Sequence, residues 1–365
     1  MDDVPEARAL SASAVDTIVQ SIDPALEVRD ATAVERGFCS VYRLEVDGSD
    51  GSRSLFLKCS PDGKTWGIPD EARVQAVLDA HTTIPVPEVL GVVDDHETLP
   101  APCYLMEALP GEALPYEDVC HLDDGALSRL ARETGEYLAE LHAVPAVEQF
   151  GHVRRDGPDL VGGRPDREPS TLTVGDPRET WPTFLRAYVD RELERHADSR
   201  FSALTAELRR WLEARIDALE VEGPFDPVMG RNDHGLHNLL VDSETGEVTA
   251  MLDWGYTLAV PAAFDFEFAA YLYSGAFLAG LPGVSDRRPL VREAMLSGYR
   301  TANPDRADAV STPEPLYELV AMVRIMNDFE HLEVPDGSER AVTDRIEADA
   351  RAILESQNRG SSRTE

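Results

Sequence analysis

The chain has almost no lysine. Its 365 residues include 34 basic side chains, of which only Lys58 and Lys64 are lysines, against 68 acidic ones, for a formal net charge of −34. Nucleic-acid binding needs a concentrated positive field, so this balance argues against a nucleic-acid partner. Acidity spread along the chain predicts a halophilic protein, because salt would screen its self-repulsion. An acidic protein from a GC-rich genome is the alternative.

Cysteine is scarce, and long apolar runs are missing. The four cysteines, Cys39, Cys59, Cys103 and Cys120, show neither metal-ligand pairing nor a disulfide spacing. We therefore expect inert buried thiols in a reducing compartment. No apolar run reaches membrane-spanning length, and the acidic N-terminus has no signal-peptide pattern. A cytoplasmic protein without a membrane partner is the expectation.

The patterning predicts strands in the first third of the chain and helices in the rest. At 365 residues with 42% hydrophobic content, the chain can bury a large core as two domains or one bilobal unit. Segments 149–180 and 356–365 lack periodicity and are predicted to be a long loop and a disordered tail. The strands are predicted at 37–46, 54–58, 84–93 and 100–107, and the helices at 9–22, 70–80, 123–143, 181–219 in two segments, 264–278, 288–302, 313–333 and 338–355.

Residues 229–265 concentrate the polar groups that could do chemistry. Asp233 and Asn238 precede the apolar run 239–241, a turn follows at 242–246, and a second apolar run ends just before Asp253. This order predicts a hairpin with Asp233 and Asn238 on the loop that enters it and Asp253 where it exits. Two carboxylates and an amide held at strand ends suit a metal-phosphate site.

This arrangement resembles the catalytic core of the protein-kinase-like fold. The phrase Leu252-Asp253-Trp254-Gly255 is more similar to aminoglycoside phosphotransferases and related small-molecule kinases than to protein kinases. The resemblance implies that Asp233 faces the attacking hydroxyl and that Asn238 and Asp253 hold Mg²⁺ on the phosphates. It also implies that Asp265 anchors the catalytic loop. The chain is interpreted as a haloarchaeal-looking member of that family.

Lys58, one of only two lysines in the chain, lies at the end of a predicted apolar strand. The family pairs such a lysine, which contacts the nucleotide phosphates, with a glutamate on the next helix, and Glu71 matches that position. A solvated strand-end lysine and an ordinary first-turn acid are the alternatives. Gly37, in the loop of the preceding hairpin, is interpreted as a tight turn.

The strand ending near Glu107 resembles the last strand of a small lobe. In the family the backbone after this strand binds the adenine, so Glu107, Ala108 and Leu109 are candidates for nucleotide binding. The predicted fold is α+β and bilobal, with an antiparallel-sheet lobe at 1–108 and a mainly helical lobe at 109–355. The implied reaction moves the γ-phosphate of ATP or GTP to a hydroxyl of a small molecule.

Two rival functions remain open. A metal-dependent hydrolase could use Asp233, His234, His237 and Asp253 as ligands of a transition metal. A nucleotide-binding pseudokinase is the other, because Arg231 and Asn232 stand where the family usually has His and Gly.

Two further sets of polar residues are expected to have structural roles and not catalytic ones. His142 is expected to be a cap or packing residue and not a catalyst. A solvated helix face is the simpler interpretation of Arg324, Asn327, Asp328 and Glu330, which could otherwise line an acceptor pocket.

Overall fold

The N-terminal part of the chain forms a sheet with helices packed on it. The computed structural model describes residues 10–34, 39–49, 51–60, 67–332 and 334–361. Gly37 therefore lies outside the described residues. The elements up to residue 113 are α1 (Ala12–Ile22), β1 (Glu27–Val34), β2 (Ser40–Gly48), β3 (Gly51–Cys59), α2 (Ile68–His81), β4 (Val89–Val93), β5 (Cys103–Glu107) and β6 (Glu112–Ala113).

The rest of the chain is mainly helical, with short strands between the helices. Its strands are β7 (Phe150–Arg155), β8 (Val161–Gly163), β9 (Leu172–Arg178), β10 (Val228–Gly230), β11 (Leu239–Val241), β12 (Val248–Met251) and β13 (Leu258–Val260). Its helices are α3 (Tyr116–Val119), α4 (Asp124–Leu141), α5 (Trp181–His196), α6 (Thr205–Glu222), α7 (Ala262–Ser274), α8 (Arg288–Ala302), α9 (Asp308–Ser311), α10 (Pro315–Asn327) and α11 (Glu339–Ser361).

The small lobe is a six-stranded antiparallel sheet in the order β1-β2-β3-β5-β4-β8. Strand β2 alternates as its sequence predicts, so Tyr42, Leu44 and Val46 face the core while their neighbours are more exposed. Helix α1 contributes Val15, Ile18 and Val19 to the same core. The N-terminal elements thus form one layered lobe.

The predicted long loop at 149–180 is wrong. Three strands, β7, β8 and β9, lie in this segment and make up half of it. β8 is the sixth strand of the small-lobe sheet, where it pairs with β4, whereas β7 and β9 join a second sheet in the order β10-β13-β7-β9. Short strands rich in Gly, Pro and Arg carry no period-2 signal, and their pairing partners lie far away in sequence.

The expectation that all four cysteines are free thiols is also wrong. Cys59 and Cys103 lie directly opposite each other on β3 and β5, and their sulfur atoms form a disulfide. Both cysteines are buried. Their 44-residue separation in sequence gives no hint of this pairing, because antiparallel register alone brings them together.

The large lobe contains the main hydrophobic core. Helix α4 begins at the Asp123 cap, which accepts a hydrogen bond from the backbone N–H of Ala126, and buries Leu127, Leu130 and Leu138. This helix packs extensively on α8. Gly135 makes that packing possible, since a Cβ there would lie 2.0 Å from the carbonyl oxygen of Met295.

The predicted helices are all present, with shifted ends. The largest shifts are equal: α10 ends at Asn327 instead of 333, and α11 ends at Ser361 instead of 355. Helix α11 thus continues into the predicted disordered tail, and residues 362–365 lie outside the described part. Within the described ranges, no helix combines the length and apolar character that crossing a bilayer requires.

Candidate active site

The catalytic-loop candidates lie where the sequence predicts, at the two ends of a hairpin. Strand β11 pairs antiparallel with β12, and the backbone N–H of Leu252 donates to the carbonyl oxygen of Asn238 at 2.8 Å. This bond places the residue before Asp253 against Asn238. Asp233 stands at the start of the same loop, partly exposed, and its Oδ1 accepts from the backbone N–H of Gly235 at 3.2 Å.

Two residues of this region adopt a left-handed backbone. Asn232 has φ of 62° and Asp253 has φ of 61°. Asn and Asp tolerate this conformation better than other residues with a Cβ, although less easily than Gly. Asn232 can therefore adopt this turn although it carries a Cβ.

Lys58 reaches the site from the small lobe. Its Nζ donates to Glu71 Oε2 at 2.7 Å and Oε1 at 3.0 Å, and lies 3.4 Å from Asp253 Oδ1. Burial alone would lower the pKa of Lys58, but the carboxylates of Glu71 and Asp253 raise it well above its usual value. The Lys58 ammonium therefore stays protonated between Glu71 on α2 and Asp253, the candidate metal ligand.

The structure also brings the start of α2 close to the loop after Asp253. Gly67 has φ of 74°, and a Cβ there would lie 2.5 Å from the carbonyl oxygen of Gly255. Any other residue would clash with this backbone. The start of the helix that carries Glu71 therefore packs directly against the segment that follows Asp253.

Asp253 is suited to remain ionised. The positive charge of Lys58 lowers its pKa, and burial opposes this effect only in part. Its side chain is 39% exposed, so the carboxylate is still open to a ligand. The nearby Asn238 is buried, and its side-chain amide nitrogen has no hydrogen-bond partner among the described residues. The nitrogen is a donor and cannot coordinate a cation, so the ligands that suit Mg²⁺ here are oxygens, the side-chain carbonyl of Asn238 and the open carboxylate of Asp253.

Asp265 is the buried centre of the catalytic loop. Its Oδ1 accepts from the backbone N–H of Asn232 at 3.2 Å and lies 2.8 Å from His234 Nε2, while Oδ2 lies 3.1 Å from His142 Nε2. Burial would raise its pKa, but the two histidines more than offset this and hold it well below the usual range. These contacts bear out the expected packing role of His142, which also caps α4.

The same network argues against the hydrolase. His234 is fully buried and turned to Asp265, whereas His237 is exposed. In the described ranges, no group of three or more His, Cys, Asp or Glu side chains could hold a metal ion. His234 is thus committed to Asp265, and only His237 lies near enough to Asp253 for its charge to act on that carboxylate.

Arg231 has a role that the sequence did not suggest. It is completely buried, its Nη2 donates to the carbonyl oxygens of Leu252 at 2.6 Å and Asn238 at 3.3 Å, and its guanidinium lies 5.1 Å from the Trp254 ring centroid. It thus joins the two halves of the hairpin that carries Asn238 and Asp253. A side chain that bonds only to backbone far along the chain leaves no local signal.

The strand that precedes the predicted inter-lobe segment ends where the sequence predicts. Strand β5 ends at Glu107, whose N–H donates to Glu88, and Ala108 and Leu109 follow as irregular backbone that is partly buried. The chain then pairs β6 with β11, the first strand of the catalytic hairpin. This crossover connects the small-lobe sheet directly to the catalytic loop.

Comparisons with known proteins agree with this arrangement. The sequence profile described as the phosphotransferase enzyme family matches residues 30–310. No curated protein matches the chain. Among solved structures, a thermostable mutant of aminoglycoside phosphotransferase APH(4)-Ia in ternary complex with AMP-PNP and hygromycin B is 17% identical, with a TM-score of 0.56, and the match covers 94% of this chain and 99% of that one.

Two other solved structures show the same fold. The GDP complex of aminoglycoside 2'-phosphotransferase-IIIa is 14% identical with a TM-score of 0.55, covering 94% of this chain and 99% of that one. The Plasmodium vivax ethanolamine kinase is 12% identical with a TM-score of 0.54, covering 91% and 83%. The predicted α+β kinase-like fold is confirmed, and the chain belongs to the phosphotransferase enzyme family of small-molecule kinases.

Proposed function

We propose that the protein transfers the γ-phosphate of ATP or GTP to a hydroxyl of a small molecule, with Mg²⁺, in a salt-rich cytoplasm. One observation carries the proposal: the carboxylates of Glu71 and Asp253 both lie within 3.4 Å of the Lys58 ammonium. The loop that carries Asp233 and Asn238 leads into the hairpin at whose other end Asp253 lies. Such a set supplies charge and position, which are what phosphoryl transfer needs from a protein.

The small lobe would bind the nucleotide. The Lys58 ammonium, aimed by Glu71, would contact phosphate oxygens as a point charge. The backbone of Glu107, Ala108 and Leu109 would bind the base. Solved relatives contain AMP-PNP in one case and GDP in another, which supports nucleotide use and leaves both ATP and GTP as donors to be tested.

The catalytic loop would bind the acceptor and the metal. Asn238 and Asp253 would hold Mg²⁺, which when bound neutralises the charge of the phosphates. Asp233 would accept the proton of the acceptor hydroxyl while the hydroxyl oxygen forms a bond to the γ-phosphorus. The bond from that phosphorus to the β,γ-bridging oxygen breaks, and the nucleoside diphosphate leaves. Asp265 would hold the loop in place through Asn232 and His234.

Thermal unfolding with nucleotide tests this proposal without knowledge of the acceptor. In molar KCl, ATP or GTP at about a hundred times its dissociation constant should add roughly 2.7 kcal/mol of stability, provided that Mg²⁺ is present. Asp253→Ala should lose the Mg²⁺-dependent part, and Glu244→Ala, an exposed change in the same hairpin, should keep it. No stabilisation by either nucleotide would refute the proposed function.

The role of Asp233 needs a separate variant. Asp233→Asn should keep Mg²⁺-nucleotide binding, because this carboxylate is not among the proposed metal ligands, yet lose turnover once an acceptor is found. Turnover at the wild-type rate in Asp233→Asn would show that Asp233 is not the base. Nucleotide binding without turnover of any acceptor would favour the pseudokinase.

A further inference from the structure

Arg324 on α10 lies beside the catalytic loop, not on a solvated helix face. Its Nη1 donates to the Tyr188 hydroxyl at 3.3 Å, and that hydroxyl donates to Asn232 Oδ1 at 3.2 Å. Asn232 directly precedes Asp233 in the loop. The Arg324 side chain is 24% exposed. This chain of contacts brings its guanidinium next to the loop segment that carries Asp233.

The charge of Asp233 acts on Arg324. Burial would lower the arginine pKa, but Tyr188, Asp328, Glu192 and Asp233 together raise it well above the usual value. The guanidinium is therefore permanently charged. Its Nη2 has no hydrogen-bond partner among the residues that the structure describes, so two N–H groups remain available to a ligand.

The carboxylates around Arg324 are already engaged. Asp328 Oδ2 accepts from Arg324 Nε at 2.8 Å, and Asp328 Oδ1 accepts from Arg195 Nη2 at 2.5 Å. Glu192 Oε2 accepts from both Arg195 and Asn327. Asp328 therefore bridges Arg324 and Arg195, and this bridge helps to hold the Arg324 guanidinium in place. It also leaves few oxygens to receive a cationic acceptor.

A second guanidinium faces the same tyrosine. The Arg191 guanidinium lies 6.0 Å from the Tyr188 ring centroid, and Arg191 makes no ion pair within the described ranges. Its charge also helps to lower the pKa of the neighbouring His152, together with burial, the larger cause. Two arginines thus flank Tyr188 in a chain whose net charge is −34.

We propose that the hydroxyl acceptor carries a negatively charged group, a carboxylate or a phosphate, which Arg324 binds while Asp233 faces the hydroxyl. The proposal rests on the proposed phosphotransferase function and names its acceptor class. A planar guanidinium with a free N–H pair matches the geometry of either anion. A polycationic acceptor would instead place its ammonium groups against Arg324 and Arg191, which costs electrostatic energy.

Acceptors that share one carbon frame and differ only in charge test this proposal. The three-carbon set is glycerate, glycerol 3-phosphate, glycerol and 3-amino-1,2-propanediol, and the six-carbon set is gluconate, glucose 6-phosphate, glucose and glucosamine. Release of the nucleoside diphosphate is followed at constant KCl, with hygromycin B as an additional cationic acceptor. We expect turnover with the carboxylate or the phosphate member, and the comparison of these two identifies the anion.

Variants connect the preference to Arg324. Losing a charged hydrogen bond should raise KM for the anionic acceptor by about tenfold to a hundredfold in Arg324→Gln. KM for the neutral member should hardly change. In Arg324→Lys, KM for the anionic acceptor should rise less, since lysine keeps the positive charge but lacks the planar guanidinium. Arg300→Gln, an exposed arginine on α8, is the matched control.

If no compound in either set is turned over, binding of the same compounds tests the proposal instead. Thermal shifts with the same sets are then measured in the presence of Mg²⁺ and ADP or GDP. Anionic members should stabilise the wild type more than neutral or amine members, and Arg324→Gln should lose the difference. A preference for the amine members or hygromycin B, equal binding of all members, or an unchanged preference in Arg324→Gln would overturn the proposal. The nucleotide shift, recorded in each sample, shows separately whether the proposed function itself fails.

Discussion

The ammonium of Lys58 donates to both carboxylate oxygens of Glu71, at 2.7 and 3.0 Å, across the interface between β3 and α2. Glu71 is 2% exposed at its side chain and Lys58 is 13% exposed. A buried pair of this kind fixes the direction of the ammonium more than it adds stability. The position of Lys58 relative to Asp253 therefore depends on a helix that itself contains no proposed metal ligand.

Replacing Glu71 tests this dependence. In Glu71→Gln the lysine loses its charged partner, so turnover should fall roughly tenfold to a hundredfold, the range expected for a charged hydrogen bond. Steady-state kcat with saturating nucleotide and acceptor is the measurement. Glu97→Gln, an exposed change in the same lobe, should leave kcat unaltered. A kcat within twofold of wild type in Glu71→Gln would show that Lys58 is positioned by other contacts.

Asp265 should matter for stability as well as for the loop. Asp265→Ala leaves the buried His142 and His234 without their shared acceptor and frees the N–H of Asn232. Breaking a buried charged network costs roughly 3–5 kcal/mol. Urea unfolding at fixed KCl measures this loss, with the exposed Asp305→Ala as control. A loss below 1 kcal/mol would mean that the loop does not depend on Asp265.

His196 should make stability depend on pH. It is fully buried between Thr205 and Met326, and burial lowers its pKa from 6.5 to about 4. Between these values the unfolded chain binds a proton that the folded protein does not. The free energy of unfolding therefore falls as pH drops from 6.5 to 4, by up to about 3 kcal/mol from this residue.

Two variants isolate that contribution. His196→Gln removes the titrating group, so its unfolding free energy should fall less between pH 6.5 and 4 than that of the wild type. His121→Gln changes an exposed histidine and should keep the wild-type slope. Denaturant unfolding at several pH values in this window gives both slopes. Equal slopes in the wild type and His196→Gln would contradict the prediction.

Salt should stabilise the protein through screening. The net charge of −34 produces self-repulsion that weakens as the Debye length falls from about 10 Å at 0.1 M to about 3 Å at 1 M. The unfolding temperature should rise steeply with KCl and then level off as screening saturates. A nonionic osmolyte gives the comparison without screening. An unfolding temperature that does not change with KCl would remove the proposal of a halophilic protein.

The parts of the site that lie close together along the chain could be predicted from the residue pattern alone. Asp233, Asn238 and Asp253 lie within 21 residues, so a single hairpin places them, and turn residues with alternating apolar runs are enough to predict it. The order of Lys58 and Glu71 before this stretch was sufficient to suggest the fold. Helices such as α4 and α8 followed from their apolar spacing.

The contacts between distant segments could not be predicted in this way, because they form only when the chain packs. The Cys59–Cys103 disulfide, the addition of β8 to the small-lobe sheet, the bonds of Arg231 to the hairpin backbone and the line from Asn232 through Tyr188 to Arg324 all depend on strand register or helix docking. Local patterns encode which face of an element is apolar. They do not encode which distant element covers that face, because many partners bury a similar area and only the packed chain selects one.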